Sequence, residues 1–395
     1  MSRGIMRSTE NKRISVGLFC RVLPQYRLAI YERLAKADGI DLMVYYSREP
    51  KYYSLRTVDP AGRFPHQRIE MKAIRLGNQE LLFQPEIKKI VASGRHDVVI
   101  LSANPRLLSN FPALWAAKRS KVGVVWWSLG IMPNQSRITL NVRRVLMKIP
   151  DALVFYTQAE KDFFVSHGVS PEKVFVAQNT VCVNQERAAA AQWSHEDIAA
   201  FQQNNGFYGK KVLLFCGQLR EKKRVDWLLS ALRTIRQNGY DYLLFLIGPD
   251  NTQGQAARLA SDLDLDDSVR FLGPIYGAEH LAPWFLSARA LVVPRAIGLA
   301  ALHGFAFNLP CITSRDRRYQ TPEATALRDG YNCLLYEDGS IHDMAVKIIK
   351  LGEDDAVHRS LCANARRTME EEYTVDRMVD GFVQAIHYAK ACVSR

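Results

Sequence analysis

Short runs of aliphatic residues alternate with amphipathic helical segments along most of the chain. The earlier strand-like runs are residues 14–20, 40–46, 98–101, 122–127, 152–156 and 174–177. Helical patterns separate most of them, at residues 26–37, 108–120, 139–148 and 157–167. Runs of Val, Ile and Leu that are separated by helices are typical of a parallel sheet with both faces covered.

The alternation is interrupted between residues 184 and 211, where the chain is polar and rich in Ala and Gln. We interpret this segment as the connection between two domains, with a short helix near residues 195–203. Strand-like runs then resume at residues 212–216, 242–247, 269–272, 290–293, 310–313 and 332–336. Helices are predicted at residues 225–235, where the apolar side chains form one stripe, and at residues 375–391.

The two alternating segments predict an α/β protein of two doubly wound, Rossmann-like domains that face a cleft. We expect an N-terminal domain of residues 1–183, a C-terminal domain of residues 184–374, and a last segment, 375–395, whose helix returns to the N-terminal domain. Open α/β sheets bind ligands beyond the carboxyl ends of their strands. Neither domain carries a GxGxxG or GxxxxGK[ST] motif, which argues against dinucleotide oxidoreductases and P-loop enzymes.

The chain is basic, because 53 Lys and Arg residues against 40 Asp and Glu residues give a net charge of +13. Basic proteins favour anionic partners. The positive charges are spread along the whole chain, however, and no motif of aromatic and basic residues that binds single-stranded nucleic acid is present. Nucleic acid is therefore not an expected partner. Phosphorylated ligands and an anionic membrane surface remain as candidate partners.

The sequence predicts a cytoplasmic protein. No apolar run reaches the roughly 20 residues that a spanning helix needs. Residues 1–13 are polar and basic with no long apolar stretch after them, which argues against a secretory signal. The seven cysteines show no zinc-site spacing, and unpaired thiols suit a reducing compartment.

A basic loop follows the strand-like run at residues 212–216. Gly217 permits a tight exit from the strand, and Arg220 and Lys223 lie on the loop before the next helix. Guanidinium and ammonium groups at the carboxyl edge of a sheet can hold a diphosphate. A solvated basic loop without a ligand is the alternative for these residues.

A second candidate loop follows the run at residues 290–293. It contains Arg295 and Gly298, and a helix is predicted to begin near Leu299, where free backbone N–H groups form an anion site. His303 lies four residues after Leu299 and therefore on the same face of this helix. A core histidine that donates to a backbone carbonyl is the alternative interpretation of His303.

These two loops resemble those of the retaining glycosyltransferases of family 4, which have the GT-B fold. The resemblance covers nearly the whole chain and is strongest over residues 211–336. Gly217 and Lys223 match the family's Gly-Arg-Leu…Lys-Gly loop. Gly298 and Leu299 match part of its Glu-Gly-Phe-Gly-Leu-x-x-x-Glu-Ala motif, but both glutamates of that motif are absent.

The resemblance implies roles for the donor-binding residues. Gln218 occupies the family's arginine position, so Arg220 is expected to supply the missing charge. Arg295 and His303 stand where the family's glutamates touch the donor sugar and the nucleotide ribose. We expect Arg295 to hold a sugar hydroxyl or a phosphate, and His303 a ribose hydroxyl. Glu323, at a predicted helix start, either contacts the donor sugar or caps the helix.

The resemblance assigns acceptor binding to the N-terminal domain. Arg21, Tyr26 and Arg27 follow the first strand and resemble a Tyr-Arg stretch of some family members. Trp127 and Ser128 follow another strand, where relatives often have Trp-Gly-His-Gly. A leucine replaces the histidine of that motif here, so no general base is carried over. A plain loop is the alternative for each stretch.

The resemblance implies a hexosyltransferase-like reaction, in which a sugar moves from a nucleotide-diphosphate sugar to a glycan or lipid-linked acceptor. Such reactions build cell-surface polysaccharides and glycoconjugates. Retention of anomeric configuration is implied, with Arg220 and Lys223 stabilising the negative charge of the leaving diphosphate. No cofactor or metal is expected beside this co-substrate, because the Asp-x-Asp letters at residues 262–266 precede a strand. A catalytically silent GT-B module that binds a nucleotide or a partner enzyme is one alternative, and a sugar-nucleotide epimerase is another.

The helix at residues 139–149 is amphipathic. Val142, Val145 and Ile149 lie on one face, and the basic side chains lie elsewhere. This pattern is typical of an interfacial helix, so peripheral contact with an anionic membrane surface is one interpretation. A helix that only covers a sheet is the alternative.

Overall fold

The structure is a computed structural model that describes residues 13–48, 57–76, 79–128 and 137–394. It divides into two compact units. Unit 1 comprises Met1–Gln178 and Val375–Arg395, and unit 2 comprises Asn179–Thr374. The division after Gln178 lies slightly earlier in the chain than the predicted boundary between residues 183 and 184.

Each unit is built on one parallel sheet. In unit 1 the strand order is β3-β2-β1-β6-β7-β8-β9, with a separate antiparallel pair β4-β5, and in unit 2 it is β12-β11-β10-β13-β14-β15. The strands are β1 Ile14–Phe19, β2 Ile40–Tyr46, β3 His66–Arg68, β4 Lys72–Leu76, β5 Gln79–Phe83, β6 Val98–Ser102, β7 Gly123–Ser128, β8 Ala152–Phe155, β9 Val174–Val176, β10 Lys211–Cys216, β11 Tyr242–Ile247, β12 Val269–Gly273, β13 Ala290–Val292, β14 Cys311–Ser314 and β15 Cys333–Tyr336. The predicted α/β class with two Rossmann-like parallel sheets is confirmed.

Helices flank both sheets. They are α1 Leu28–Ala35, α2 Glu86–Ala92, α3 Asn110–Ser120, α4 Arg137–Leu146, α5 Gln158–Ser166, α6 Val183–Ala190, α7 His195–Asn204, α8 Val225–Gln237, α9 Gln255–Asp262, α10 Ala278–Ser287, α11 Leu299–Ala306, α12 Ile341–Glu353, α13 Asp355–Glu371 and α14 Val375–Val393. Local sequence explains several starts. At α5, for example, Thr157 and Glu160 form a reciprocal capping box.

Helix α14 is part of unit 1 and packs on β7, β8 and β9. Two glycines permit this contact. A Cβ atom on Gly123 would lie 2.7 Å from the carbonyl oxygen of Ala389, and one on Gly381 would overlap the carbonyl oxygen of Val176. The helix therefore lies directly on the backbone of the sheet and buries Phe382 there.

Residues 184–211, which we interpreted as a connection between domains, belong to unit 2. Helix α6 packs on α10 and α11. Further along, Phe201 and Phe207 contact Trp284 at ring-centroid distances of 4.9 and 6.1 Å. The predicted short helix near residues 195–203 corresponds to α7. The packing of the segment could not be foreseen, because its aromatic residues are isolated among polar ones and no local period marks them. Among the helices of the described ranges, none is long and apolar enough to cross a membrane.

Candidate functional site

Two glycine turns lie side by side at the carboxyl ends of β10 and β11. Gly217 and Gly248 have φ angles of +138° and +140°, a region that favours glycine. A Cβ atom on Gly248 would overlap the carbonyl oxygen of Gly217. The N–H of Gly217 donates to Ile247, and that of Leu219 donates to Pro249, so hydrogen bonds hold the first basic loop to its neighbour.

Lys223 joins the two candidate loops of unit 2. It ends a 3-10 turn, Glu221–Lys223, and its Nζ donates to the carbonyl oxygen of Ala296 at 2.9 Å. Nζ also lies 3.4 Å from the position of a Cβ atom on Gly217. Burial lowers the pKa of Lys223 to about 8, and the nearby charges of Lys222 and Arg220 act in the same direction. A bound anion would stabilise the ammonium form of this amine.

Arg220 begins the same turn in extended conformation, with a half-buried side chain. Within the described ranges, its guanidinium makes no hydrogen bond or ion pair with another side chain. It is therefore free to bind an anionic ligand beside Lys223.

Gly298 is the N-cap of α11 and has φ +61° and ψ −151°, a conformation accessible essentially only to glycine. The first N–H groups of an α-helix have no partner inside the helix. The Oγ1 atom of Thr321 lies 3.7 Å from the position of a Cβ atom on Gly298, and this buried oxygen has no hydrogen-bond partner among the described residues. The free N–H groups at the start of α11 and the hydroxyl oxygen of Thr321 therefore lie close together.

Arg295 is held within unit 2 rather than left open for a ligand. It forms a bidentate ion pair with Asp338, and its guanidinium lies 3.6 Å from the ring centroid of Tyr319 and 4.4 Å from that of Trp227. The pair lowers the pKa of Asp338 and raises that of Arg295. The predicted contact of Arg295 with the donor stays a prediction, whereas the geometry shows that Arg295 fixes the loop before α11.

His303 contacts a carboxylate that sequence reasoning did not single out. Its Nδ1 lies 2.9 Å from Oε1 of Glu186, on α6. The Glu186 side chain is 7% exposed and the His303 side chain 29% exposed. The alternative interpretation, a core histidine that donates to a backbone carbonyl, does not describe His303, because its side chain is partly exposed and its Nδ1 contacts a carboxylate.

Glu323 is buried in a 3-10 turn, Pro322–Ala326, and accepts a hydrogen bond from Nδ2 of Asn179. The N-cap of this turn, Thr321, makes no side-chain cap bond. The negative charge of Glu323 also raises the pKa of Lys223, opposing the effect of burial. One carboxylate oxygen is therefore engaged within unit 2, and the predicted contact with the donor sugar stays a prediction.

The residues predicted to bind the acceptor lie in unit 1, where Arg27 is buried. Its Nη2 donates to the hydroxyl of Tyr156 at 3.0 Å, its guanidinium lies 4.5 Å from the ring centroid of Trp127, and Nη1 contacts Met378 of α14. Arg27 therefore anchors the last helix, which sequence reasoning did not anticipate.

The other acceptor candidates differ in exposure. Ser128 is buried and accepts a hydrogen bond from Arg143. Arg21 and Tyr26 are half-buried, so they remain accessible to a ligand. Leu129, which replaces the family's histidine, lies outside the described residues.

Carboxylates do not gather into a candidate metal centre in the part of the chain that the structure describes, where no three His, Cys, Asp or Glu side chains come together. Asp262 ends α9, and Asp266 accepts a hydrogen bond from Ser261 at 2.6 Å. These residues precede β12 and so lie at its amino end.

Comparison with known proteins matches this architecture. Residues 210–354 match the family model of glycosyl transferases group 1. The Anabaena protein Alr3699/HepE in complex with UDP superimposes with a TM-score of 0.74 at 16% identity, over 95% of this chain and 99% of that one. A glycosyltransferase from Rickettsia africae gives a TM-score of 0.74 at 12% identity, over 95% of this chain and 98% of that one. The chain has the GT-B fold.

Sequence similarity to curated proteins is confined to part of this GT-B chain. The N-acetyl-alpha-D-glucosaminyl L-malate synthase of Bacillus anthracis is 26% identical over 180 residues, which is 45% of each protein. The chain thus spans less than half the length of the curated relative it matches. The matched family segment, 210–354, contains both loops of the candidate site and the whole region, 211–336, where the sequence resemblance is strongest.

Proposed function

We propose that the protein is a glycosyltransferase that moves a sugar from a nucleotide-diphosphate sugar to a glycan or lipid-linked acceptor. One observation carries the proposal: the buried Lys223 amine donates to Ala296, on the loop that leads into Gly298 and the start of α11. A cation and a helix N-terminus at one place form a diphosphate site. The similarity of residues 210–354 to group 1 glycosyl transferases, and the similarity in fold of 95% of the chain to a protein solved in complex with UDP, support it.

In the proposed reaction, unit 2 stabilises the leaving group. Lys223, Arg220 and the N–H groups at the start of α11 neutralise the charge that develops on the nucleoside diphosphate as the glycosidic bond breaks. These side chains fulfil that role without a metal ion. The departing phosphate oxygen takes the proton of the acceptor hydroxyl, and the anomeric configuration is retained.

Unit 1 is proposed to supply the acceptor side. Arg21 and Tyr26 are its accessible candidates for contact with an acceptor. Arg27 and Trp127 instead pack against Met378 and Phe382 of α14. We assign them to positioning the carboxyl ends of β1 and β7, where an acceptor would bind in an α/β sheet.

A membrane surface is the proposed location of the acceptor, on the cytoplasmic side. Trp115 of α3 and Val145 of α4 are 54% and 65% exposed. Arg119 and Lys88 lie 4.1 and 5.7 Å from the Trp115 ring centroid, so positive charge surrounds the exposed ring. Exposed apolar side chains beside cations are typical of a surface that binds anionic lipids.

Co-sedimentation with vesicles of phosphatidylcholine, with and without phosphatidylglycerol, tests the membrane proposal at low and high salt. We expect binding only to the anionic vesicles, weaker at high salt. The Trp115→Ser variant should bind less than wild type, whereas Tyr208→Ser, which removes an exposed aromatic ring from unit 2, should bind like wild type. Equal sedimentation with both vesicle types, or none, would contradict the proposal.

A thermal-shift panel of UDP, GDP, ADP, dTDP and CMP tests the function itself. A ligand that binds the native state raises the melting temperature, so one diphosphate should give a clear shift. The sugar nucleotide that contains this diphosphate is then incubated with the protein, and release of the diphosphate measures sugar transfer or slow hydrolysis of the donor. The Arg220→Ala/Lys223→Met variant should lose this activity and Lys222→Ala should retain most of it.

The same assay separates the alternatives, which the fold alone does not. A silent module would bind the diphosphate without releasing it from any sugar nucleotide. An epimerase would change the sugar of the nucleotide in the absence of an acceptor. Either result would contradict transfer.

A further inference from the structure

The ion pair between Glu186 and His303 joins two helices of unit 2 beside the proposed diphosphate site. His303 lies four residues into α11 after Leu299, which is about 6 Å along the helix axis. Side chains of a helix lean towards its N-terminus, so the imidazole lies beside the first turn of α11. A chemical group attached to a phosphate that binds at the start of α11 would therefore lie within reach of the imidazole ring.

The hydrogen bond to Glu186 determines which nitrogen of His303 meets a ligand. A carboxylate can only accept, so Nδ1 carries a hydrogen and donates to Oε1 at 2.9 Å. Within the described ranges Nε2 has no hydrogen-bond partner, and the side chain is 29% exposed. Glu186 thus holds the ring with Nε2 available.

Glu186 is itself unusual. It is buried, and its Oε2 atom has no hydrogen-bond partner among the described residues. Burying a carboxylate with only one of its oxygens satisfied is unfavourable for stability. A role in orienting His303 for ligand binding accounts for such a carboxylate at this position.

We propose that Glu186 is a positioning residue that fixes His303 to bind a hydroxyl group of the nucleotide sugar. A hydroxyl both donates and accepts, so it suits Nε2 whether or not that nitrogen carries a hydrogen. Either ring attached to the diphosphate, the ribose or the transferred sugar, offers such hydroxyls. This inference rests on the proposed function, because it requires a diphosphate at the start of α11.

Calorimetric dissociation constants test the proposal with matched ligands. The ligands are UDP, GDP and ADP, their 2′,3′-dideoxy counterparts, which lack both ribose hydroxyls, the corresponding glucose nucleotides and inorganic pyrophosphate. Wild type, Glu186→Gln and His303→Ala are compared with Glu196→Gln, which changes an exposed carboxylate of α7. If Glu186→Gln does not fold, Glu186→Asp, which keeps the charge but shortens the side chain, gives the same readout.

If the hydroxyl belongs to the ribose, Glu186→Gln and His303→Ala should weaken the ribonucleotide about tenfold and leave the dideoxynucleotide unchanged. If it belongs to the transferred sugar, they should instead reduce the advantage of the glucose nucleotide over the diphosphate about tenfold. Glu196→Gln should change neither ratio.

Two results would overturn the inference while leaving the proposed function intact. One is that both ratios match wild type in both variants. The other is that all ligands, pyrophosphate included, weaken equally, since that would assign the pair to phosphate binding or to folding. Wild-type protein that binds no nucleotide would overturn the proposed function together with this inference.

Discussion

A Cβ atom on Gly248 would overlap the carbonyl oxygen of Gly217, so the turns that end two neighbouring strands touch backbone to backbone. We predict that Gly248→Ala destabilises the protein by about 3 kcal/mol, because it adds a clash to the strain of a positive φ. Urea denaturation followed by circular dichroism measures the loss.

Gly239→Ala is the matched control for this substitution. Gly239 also has a positive φ, +83°, but nothing lies within 4 Å of its Cβ position. Gly239→Ala should lower the free energy of unfolding by only about 1 kcal/mol, which is the cost of the left-handed backbone conformation for alanine. Equal losses for the two variants would show that the contact between the turns is unimportant.

Diphosphate affinity is predicted to fall as the pH rises through about 8, the pKa of Lys223 in the ligand-free protein. An anion binds the ammonium form, so above this pH binding requires uptake of a proton and weakens up to about tenfold per pH unit. Calorimetry between pH 6.5 and 9.5 measures the profile.

Lys223→Arg should bind with an affinity that barely changes over this range, because a guanidinium stays protonated. A wild-type profile as flat as that of Lys223→Arg would show that the amine does not contact the anion. The same pKa predicts that wild type, relative to Lys223→Arg, gains stability from pH 8 towards 10.5, since the unfolded amine binds more protons there.

Breaking the pair of Arg295 and Asp338 should destabilise unit 2. Arg295→Met leaves Asp338 as a largely buried, unpaired carboxylate, and the expected loss is about 3 kcal/mol. The pair lowers the pKa of Asp338, so its contribution is present above pH 3.8 and disappears as the pH falls through that lowered value. Urea denaturation of Arg295→Met, Asp338→Asn and the double variant measures the coupling, and additive losses would contradict it.

Arg27→Lys is predicted to loosen α14 from unit 1. Lysine keeps the charge but loses the planar contact with Trp127 and the hydrogen bond donated to Tyr156. The two losses together should lower the stability of this contact by about 1–2 kcal/mol. Hydrogen exchange should become faster in α14 and in β7. Arg33→Lys, which changes an exposed arginine that pairs with Asp376 of the same helix, serves as the control. A variant that exchanges like wild type but turns over slowly would favour direct acceptor contact instead.

Buried strands could be predicted closely from the sequence. The runs at residues 40–46 and 242–247 coincide with β2 and β11. Strands that are covered on both faces are mostly apolar, and Asp41 of β2 is the one charged residue in these two runs. The short strands β3 to β5 could not be found, since β3 is polar and exposed and the hairpin of β4 and β5 lacks a long aliphatic run.

The loops of the candidate site could be located from the sequence, but their internal partners could not. Gly217 was identifiable because it directly follows β10, Lys223 because it lies on the basic loop between β10 and α8, and Gly298 because it precedes the first residue of α11. The partner of His303, Glu186, lies 117 residues away in a polar segment without a motif. Asp338, the partner of Arg295, lies 43 residues away, so neither ion pair leaves a local signal.

The return of α14 to unit 1 has a consequence for biosynthesis. Unit 2 is one continuous stretch, Asn179–Thr374, so all of its residues are available before α14 is translated. Unit 1 cannot complete its folding until α14 has been synthesised, because α14 buries the apolar face of β7, β8 and β9. During translation the unit that is made first is therefore completed last, and its uncovered sheet is the surface that chaperones should bind.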